Sequence, residues 1–208
     1  MLKGLFLLFE PFSCWEDVYH ARPNWARVLF VDVLPLLVLS LLAECFHLVR
    51  WGKWQDIIGH QRFFTPKEVV VVGAAQLIIW ILFIVIAARL VQALTQTFHT
   101  RGSYQQALSV VGYSLAPLFI LQLFNALPFI SFWITFTVGI LFTIRAMYHG
   151  LPRIMDPDPI HTFGLFLTSS MFVAIAGAIV RFIGWWYYRG HIHNLDNAIT
   201  SLASRLPF

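Results

Sequence analysis

The chain has 208 residues, of which 59% are hydrophobic and 12% charged, and it carries 20 Phe, 8 Trp and 6 Tyr. Soluble domains hold about 25% charged residues. With a mean hydropathy of +0.73, the composition excludes a disordered chain, a disulfide-rich secreted module and most soluble enzymes, and leaves a polytopic membrane protein. The net charge of +4 is spread over short loops with no Lys/Arg block. That distribution suits anionic lipid headgroups and offers no nucleic-acid surface.

Residues 1–24 are too short to span a membrane. Leu2, Leu5, Phe6 and Phe9, then Phe12, Trp15, Val18 and Tyr19, recur near helical spacing among Lys3, Glu10, Glu16 and Asp17. This pattern predicts an interfacial segment interrupted at Pro11. Ser13-Cys14-Trp15-Glu16 reads as a capping box for its second half. No small-residue cleavage site follows the first apolar stretch, so no cleaved signal peptide is expected.

A helical span needs about 20 mostly apolar residues. Five stretches meet this: 28–49, 69–98, 107–127, 129–149 and 163–188. Apolar residues run continuously in them rather than alternating, which argues against a β-barrel. Thr65-Pro66-Lys67-Glu68 places a cap, a proline and a glutamate where a helix start needs them, and Ser103-Tyr104-Gln105-Gln106 repeats the box. Pro128 predicts a tight hairpin between the third and fourth spans. Asp156-Pro157-Asp158-Pro159 predicts a stiff turn before the fifth. Leu195, Ile199, Leu202 and Leu206 mark an amphipathic helix over 194–207. The expected fold is therefore all-α: one domain over 1–208, a bundle of five transmembrane helices with amphipathic helices at both ends. Cys14 and Cys45 are not expected to pair.

Five spans put the termini on opposite sides. Arginines and lysines divide evenly between the two sides, so charge does not orient the chain. Trp51 and Trp54 after the first span, and Trp185-Trp186-Tyr187-Tyr188 at the end of the fifth, predict one shared interface.

Ionisable residues inside spans are costly and therefore informative. Asp32, Arg89 and Arg145 fall at comparable depth toward the N-terminal side. They suggest a polar group that binds an anion or a headgroup; a structural salt bridge, or arginines reaching to the interface, competes with that reading. Glu44 and Arg181 match in depth toward the other side and suggest an ion pair. Gln76, Gln92, Gln96, Gln105, Gln106, Gln122 and Asn125 suggest hydrogen bonds between helices. Pro35 and Pro117 predict kinks. Ser170, Ala174 and Ala178 form a small-residue stripe for close helix packing. Glu44, His47, His60, His191 and His193 share one predicted side, but their spacing matches no metal motif, so no metal is assigned. His99, Arg101 and His149 could converge near Asp156 and Asp158, yet nothing sets a nucleophile beside a base. No catalytic residue and no cofactor is assigned.

Phe98-His99-Thr100-Arg101-Gly102-Ser103-Tyr104, followed by Gly112-Tyr113-Ser114-Leu115-Ala116-Pro117, resembles the Yip1 family. The family motif residues here are Gly112, Tyr113 and Pro117. The N-terminal Leu-Phe-Glu-Pro-Phe with Trp15 resembles bacterial members. The resemblance implies five transmembrane helices and a cytoplasmic N-terminus. In eukaryotic members it implies vesicle trafficking and Rab GTPases. This sequence lacks the long cytosolic N-terminal region and the Asp-Leu-Tyr-Gly-Pro motif, so no Rab GTPase partner is expected. The resemblance implies a bacterial cytoplasmic (inner) membrane protein. Its expected role is non-enzymatic: it organises or shapes membrane, or scaffolds membrane partners. Its partners would be membrane lipids, other membrane proteins or further copies of itself. The alternative is a lipid- or small-solute-binding transporter or channel using Asp32, Arg89 and Arg145.

Overall fold

The computed structural model describes residues 11–21, 23–54, 61–98 and 102–188, together with Ile199, Ser201 and Ser204. Among the described residues the structure is all-α apart from one pair of two-residue strands. Helix α1 is Pro11–Ala21. Helix α2, Arg27–Trp51, opens with a π-helical segment, Arg27–Val33, and continues as α-helix from Leu34. Strands β1 (Lys53–Trp54) and β2 (Gln61–Arg62) pair antiparallel. Then come α3, Pro66–Thr97, and α4, Tyr104–Gln122, which a 3-10 turn extends to Ala126. Helices α5, Phe132–Met155, and α6, Pro159–Tyr188, complete the bundle. Helices α2 to α6 are each long and apolar enough to cross a membrane.

Helix ends follow local chemistry. The Thr65 hydroxyl accepts from the Glu68 N–H, and the Glu68 carboxylate accepts from the Thr65 N–H at 2.9 Å. Ser103 and Gln106 repeat this reciprocal cap on α4. Both boxes satisfy N–H groups that a helix start leaves open. Ser13 does not cap α1: that helix begins at Pro11 and Ser13 lies inside it, because a proline fits the first turn and needs no N–H partner there. Asp156 ends α5 in the left-handed conformation, φ 44°, with its N–H on the Pro152 carbonyl. The Asp158 carbonyl then accepts from the His161 and Thr162 N–H groups. The Asp-Pro-Asp-Pro turn thus closes one helix and opens the next. Helix α5 runs six residues past the apolar stretch read from the sequence, because its last turns pack on protein rather than lipid.

The helices are not equivalent. The most apolar stretch of α4 is 83% buried inside the protein, against 28% for α3 and for α6. Helix α4 is the axis of the bundle, and α2, α3 and α5 pack around it. Its partners are shaped for close approach. A Cβ on Gly139 of α5 would meet Leu118 of α4 at 2.6 Å from Cδ1 and 3.0 Å from Cα. Trp80 of α3 lies edge-on to Phe119 of α4, with ring centroids 5.4 Å apart. Pro117 is buried inside α4, and Pro35 stands in the first turn of regular α-helix, directly after the π segment. Proline lacks the N–H that would hold the preceding turn, so the change of helix type falls where that bond is missing.

The ends of the bundle differ as well. On the face opposite α1, Phe64 packs on Tyr187 and Tyr188, with centroids 6.4 and 6.0 Å away. Leu48, Val69, Val72 and Ile199 complete this second apolar cluster. It joins the end of α2, the start of α3 and the end of α6. Apart from Ile199, Ser201 and Ser204, residues 194–207 fall outside the described residues.

Gly139→Val should destabilise the bundle by about 1–3 kcal/mol, since a branched side chain must push α4 and α5 apart. Thermal unfolding in detergent, compared with Val138→Ala on the exposed side of α5, measures this; equal melting of the two variants would remove Gly139 as the contact that sets helix spacing.

Candidate functional site

Three groups of contacts with polar members stand out. The first is the junction of α1 with α5. Cys14, Trp15 and Val18 turn one face of α1 inward. Trp15 is 1% exposed and sits against Gly150, where a Cβ would lie 2.6 Å from the indole Cε2. Glu16 forms an ion pair with Arg153, and the Arg153 guanidinium stacks 4.9 Å from the Tyr19 ring centre. A lone exposed ion pair contributes little. Here the indole in its notch supplies the burial, and the charges set the helix's direction.

The second place surrounds the Gly-Tyr-x-x-x-Pro stretch. The Tyr113 hydroxyl donates to Asp32 Oδ2 at 2.8 Å. The Tyr113 ring also meets Trp15 edge-on, 6.4 Å between centroids. Gly112 lies against the π segment, where a Cβ would come 3.1 Å from Val33 and 3.2 Å from Val28. The motif therefore seats α4 against the entry of α2 and ties both to α1.

No ion pair or hydrogen bond joins Asp32 to Arg89 or Arg145, the two arginines expected at its depth. Arg89 is exposed; its guanidinium lies 4.2 Å from the Tyr104 ring centre and reaches Gln92 Oε1 at 3.5 Å. Arg145 is exposed on α5 and makes no ion pair or hydrogen bond with another described residue. Asp32 is tethered by a tyrosine, with each arginine on a different helix surface.

The third place is the most buried. Arg181 of α6 donates through Nη1 to both Glu44 oxygens of α2, at 2.9 and 2.8 Å. Both side chains are under 7% exposed. The Arg181 guanidinium also lies 5.0 Å from the Phe132 ring centre. His47, one turn beyond Glu44, meets the same Phe132 edge at 4.8 Å. Gln76 donates to the Tyr188 hydroxyl at 2.7 Å beside the pair. In a medium without water, each charge depends on the other. This pair also fixes which face of α6 turns inward. The buried stripe is Leu165, Ser169, Val173, Gly177 and Arg181, each four residues from the next. Of the expected stripe, Ser170 is buried, but Ala174 and Ala178 are only half-buried, because Arg181 sets the register one position away.

Gln106 and Asn125 make the contacts between helices that the sequence suggests, but their partners carry no mark in it. Thr135 donates to Asn125 Oδ1 at 2.5 Å across the α4–α5 hairpin. Asn125 Nδ2 and Gln122 Nε2 are buried there without a hydrogen-bond partner. Gln106 donates to the Ile154 carbonyl at 3.0 Å, and Gln105 to the Pro23 carbonyl at 2.7 Å. Trp15 was visible only as one member of an amphipathic run.

Two clefts open on the α1 side. One, about 660 Å³, lies between the end of α5 and the start of α6; the other, about 440 Å³, lies between α1, α4 and the end of α5. Neither is lined by Asp32, Arg89 or Arg145. Among the described residues no three or more His, Cys, Asp or Glu side chains stand where they would hold a metal. His60, His99, Arg101, His191 and His193 lie outside the described residues.

Five apolar crossings, a central span encased by the others and charges neutralised inside the bundle define a polytopic helical membrane protein. The model of the Yip1 domain matches residues 5–188, and the chain belongs to the Yip1 family. No curated protein and no solved structure matches the chain.

Breaking the Glu44–Arg181 pair at one end should cost about 3–5 kcal/mol, because it strands a buried charge. Glu44→Gln and Arg181→Met should each show that loss, and the double variant Glu44→Gln/Arg181→Met should regain most of it. A double-mutant cycle of unfolding in mixed micelles reads the coupling; strictly additive losses would mean that the two groups do not stabilise each other.

Proposed function

We propose that this Yip1-family chain is a non-enzymatic protein that organises or shapes membrane, acting through lipids and membrane partners. In this reading it resides in a bacterial cytoplasmic membrane with its N-terminus on the cytoplasmic side. The supporting observation is the docking of α1. The helix is anchored by Trp15 in the Gly150 notch, while Ser13, Asp17, Tyr19 and His20 on its other sides stay exposed. An amphipathic helix fixed at one interface adds cross-section to one leaflet only. Rigid attachment to five spans turns that asymmetry into a property of the whole protein. Three features weigh against transport. Asp32 is bound to Tyr113, Arg89 and Arg145 face outward, and the axis of the bundle is filled by α4 itself.

Reconstitution into liposomes tests this reading. The wild-type chain should reshape vesicles in proportion to protein loading, as seen by electron microscopy. Trp15→Ala, which frees α1, should reduce that effect severalfold, while Asp32→Asn should retain it. Unchanged vesicle shape with wild-type protein, or a solute flux abolished by Asp32→Asn, would overturn it.

A further inference from the structure

We infer that the tip of the α4–α5 hairpin, from Phe124 to Trp133, is an interaction surface for lipid, lodged where headgroups meet acyl chains in the leaflet opposite α1. Helix α1 packs on Gly150, toward the other end of α5. The inference rests on the five-span architecture and not on the role proposed for α1, so the two assays fail independently.

Charge gives the first sign. Residues 102–144 contain no Asp, Glu, Lys, Arg or His. That run covers α4, the hairpin and half of α5. The other connections between spans each carry charge: Lys53, Asp56 and Arg62 between α2 and α3, Arg101 between α3 and α4, Asp156 and Asp158 between α5 and α6. A turn that lies in water is ordinarily polar. This one reads Leu127-Pro128-Phe129-Ile130-Ser131.

The fold sorts the side chains of the tip in the same sense. Phe129 is 78% exposed, and Phe124, Pro128, Trp133 and Ile134 are exposed beside it. Gln122, Asn125 and Thr135 are buried. Ser131 is the one exposed polar residue between 123 and 134, and its hydroxyl accepts from the Trp133 N–H at 3.4 Å to cap α5. An exposed apolar surface marks contact with a membrane or with another protein, and depth decides between them here.

Neighbouring helices supply the depth. Phe132, the first residue of α5, lies 5.0 Å from the Arg181 guanidinium and 4.8 Å from the His47 ring. From Arg181, α6 continues to Tyr188, a further rise of about 10 Å. From His47, α2 continues to Trp51, a further rise of about 6 Å. Both helices therefore reach past the first residue of α5. Trp133 meets Trp185 edge-on, 6.0 Å between centroids, and Phe182 joins Trp185 to Trp186 at 5.4 and 5.1 Å. Tryptophans collect at the headgroup level, so this group sets the tip at that level.

Arg145 gives an independent measure. It is exposed and makes no ion pair with another described residue. From Phe132 to Arg145 the helix rises about 20 Å, against about 15 Å for half of the hydrocarbon core. With Phe132 at the boundary, Arg145 passes the midplane and can extend toward the α1 side. A tip pushed out into water would draw Arg145 back to the midplane, where an arginine costs most. The backbone sets the opposite limit. Leu127 donates to the Phe124 carbonyl, but the end of a helix leaves further carbonyls open, and hydrocarbon offers them no donor. The boundary between headgroups and chains meets both demands.

Spin labelling of the full chain in liposomes of phosphatidylethanolamine and phosphatidylglycerol tests the inference. Cys14→Ala and Cys45→Ala remove the native thiols, and the label is attached through Phe129→Cys or, as the reference in water, through Asp158→Cys. Oxygen concentrates in lipid and a nickel chelate stays in water, so the ratio of their collision rates reads depth. That ratio should be about fivefold or more higher at 129 than at 158, since the hydrocarbon boundary excludes the chelate. Phe124→Cys gives the same readout should the Phe129 variant aggregate. Two results would overturn the inference: equal ratios at 129 and 158, which would place the tip in water, or a label at 129 that neither reagent reaches, which would mean that a second copy or another protein covers it.

Discussion

In hydrocarbon no water is present to satisfy a polar group, so every such group must find a partner within the protein. Helix α4 shows what this constraint requires. It carries Ser109, Ser114, Gln122 and a buried proline, and Gly112 notches its surface. A helix of that kind is poorly suited to lipid. It becomes the axis, and α2, α3 and α5 enclose it. Helices α3 and α6, with long apolar faces, take the lipid-facing positions. The arrangement of the bundle follows from where each helix can put its polar atoms.

The same constraint explains three contacts between polar side chains. Glu44 and Arg181 neutralise each other at one depth. Tyr113 holds Asp32 at the opposite end of α2. Thr135 and Asn125 close the hairpin between α4 and α5. The first two tie helices distant in sequence, and the third closes a hairpin. At one end of the bundle α1 docks through Trp15 against Gly150, and the membrane-organising role proposed above rests on that docking.

How much could be read in advance depended on range. The two capping boxes, the Asp-Pro-Asp-Pro turn and the five apolar spans are local, because each concerns residues within a few positions or one continuous run. Glu44 and Arg181 could be matched in depth, because depth follows from counting residues along a span. Rotation about the helix axis could not be counted. The small-residue stripe on α6 that spacing suggests therefore lies one position away from the one the structure buries, and Asp32, Arg89 and Arg145, similar in depth by counting, face different directions. The spacing of Ser13 to Glu16 fits a cap, but the helix begins at Pro11 and takes Ser13 into its first turn.

By itself the sequence determined that this chain is an all-α, five-span membrane protein, since length and hydropathy alone decide which segments can leave water. It also marked where most helices begin, since caps act through neighbouring residues. Tertiary structure decided which span becomes the axis, which face of each helix turns inward, and that Trp15 enters a notch left by Gly150, 135 positions along the chain. Those outcomes depend on shape matching between surfaces far apart in sequence, and hydrophobicity along one strand of residues carries no record of it.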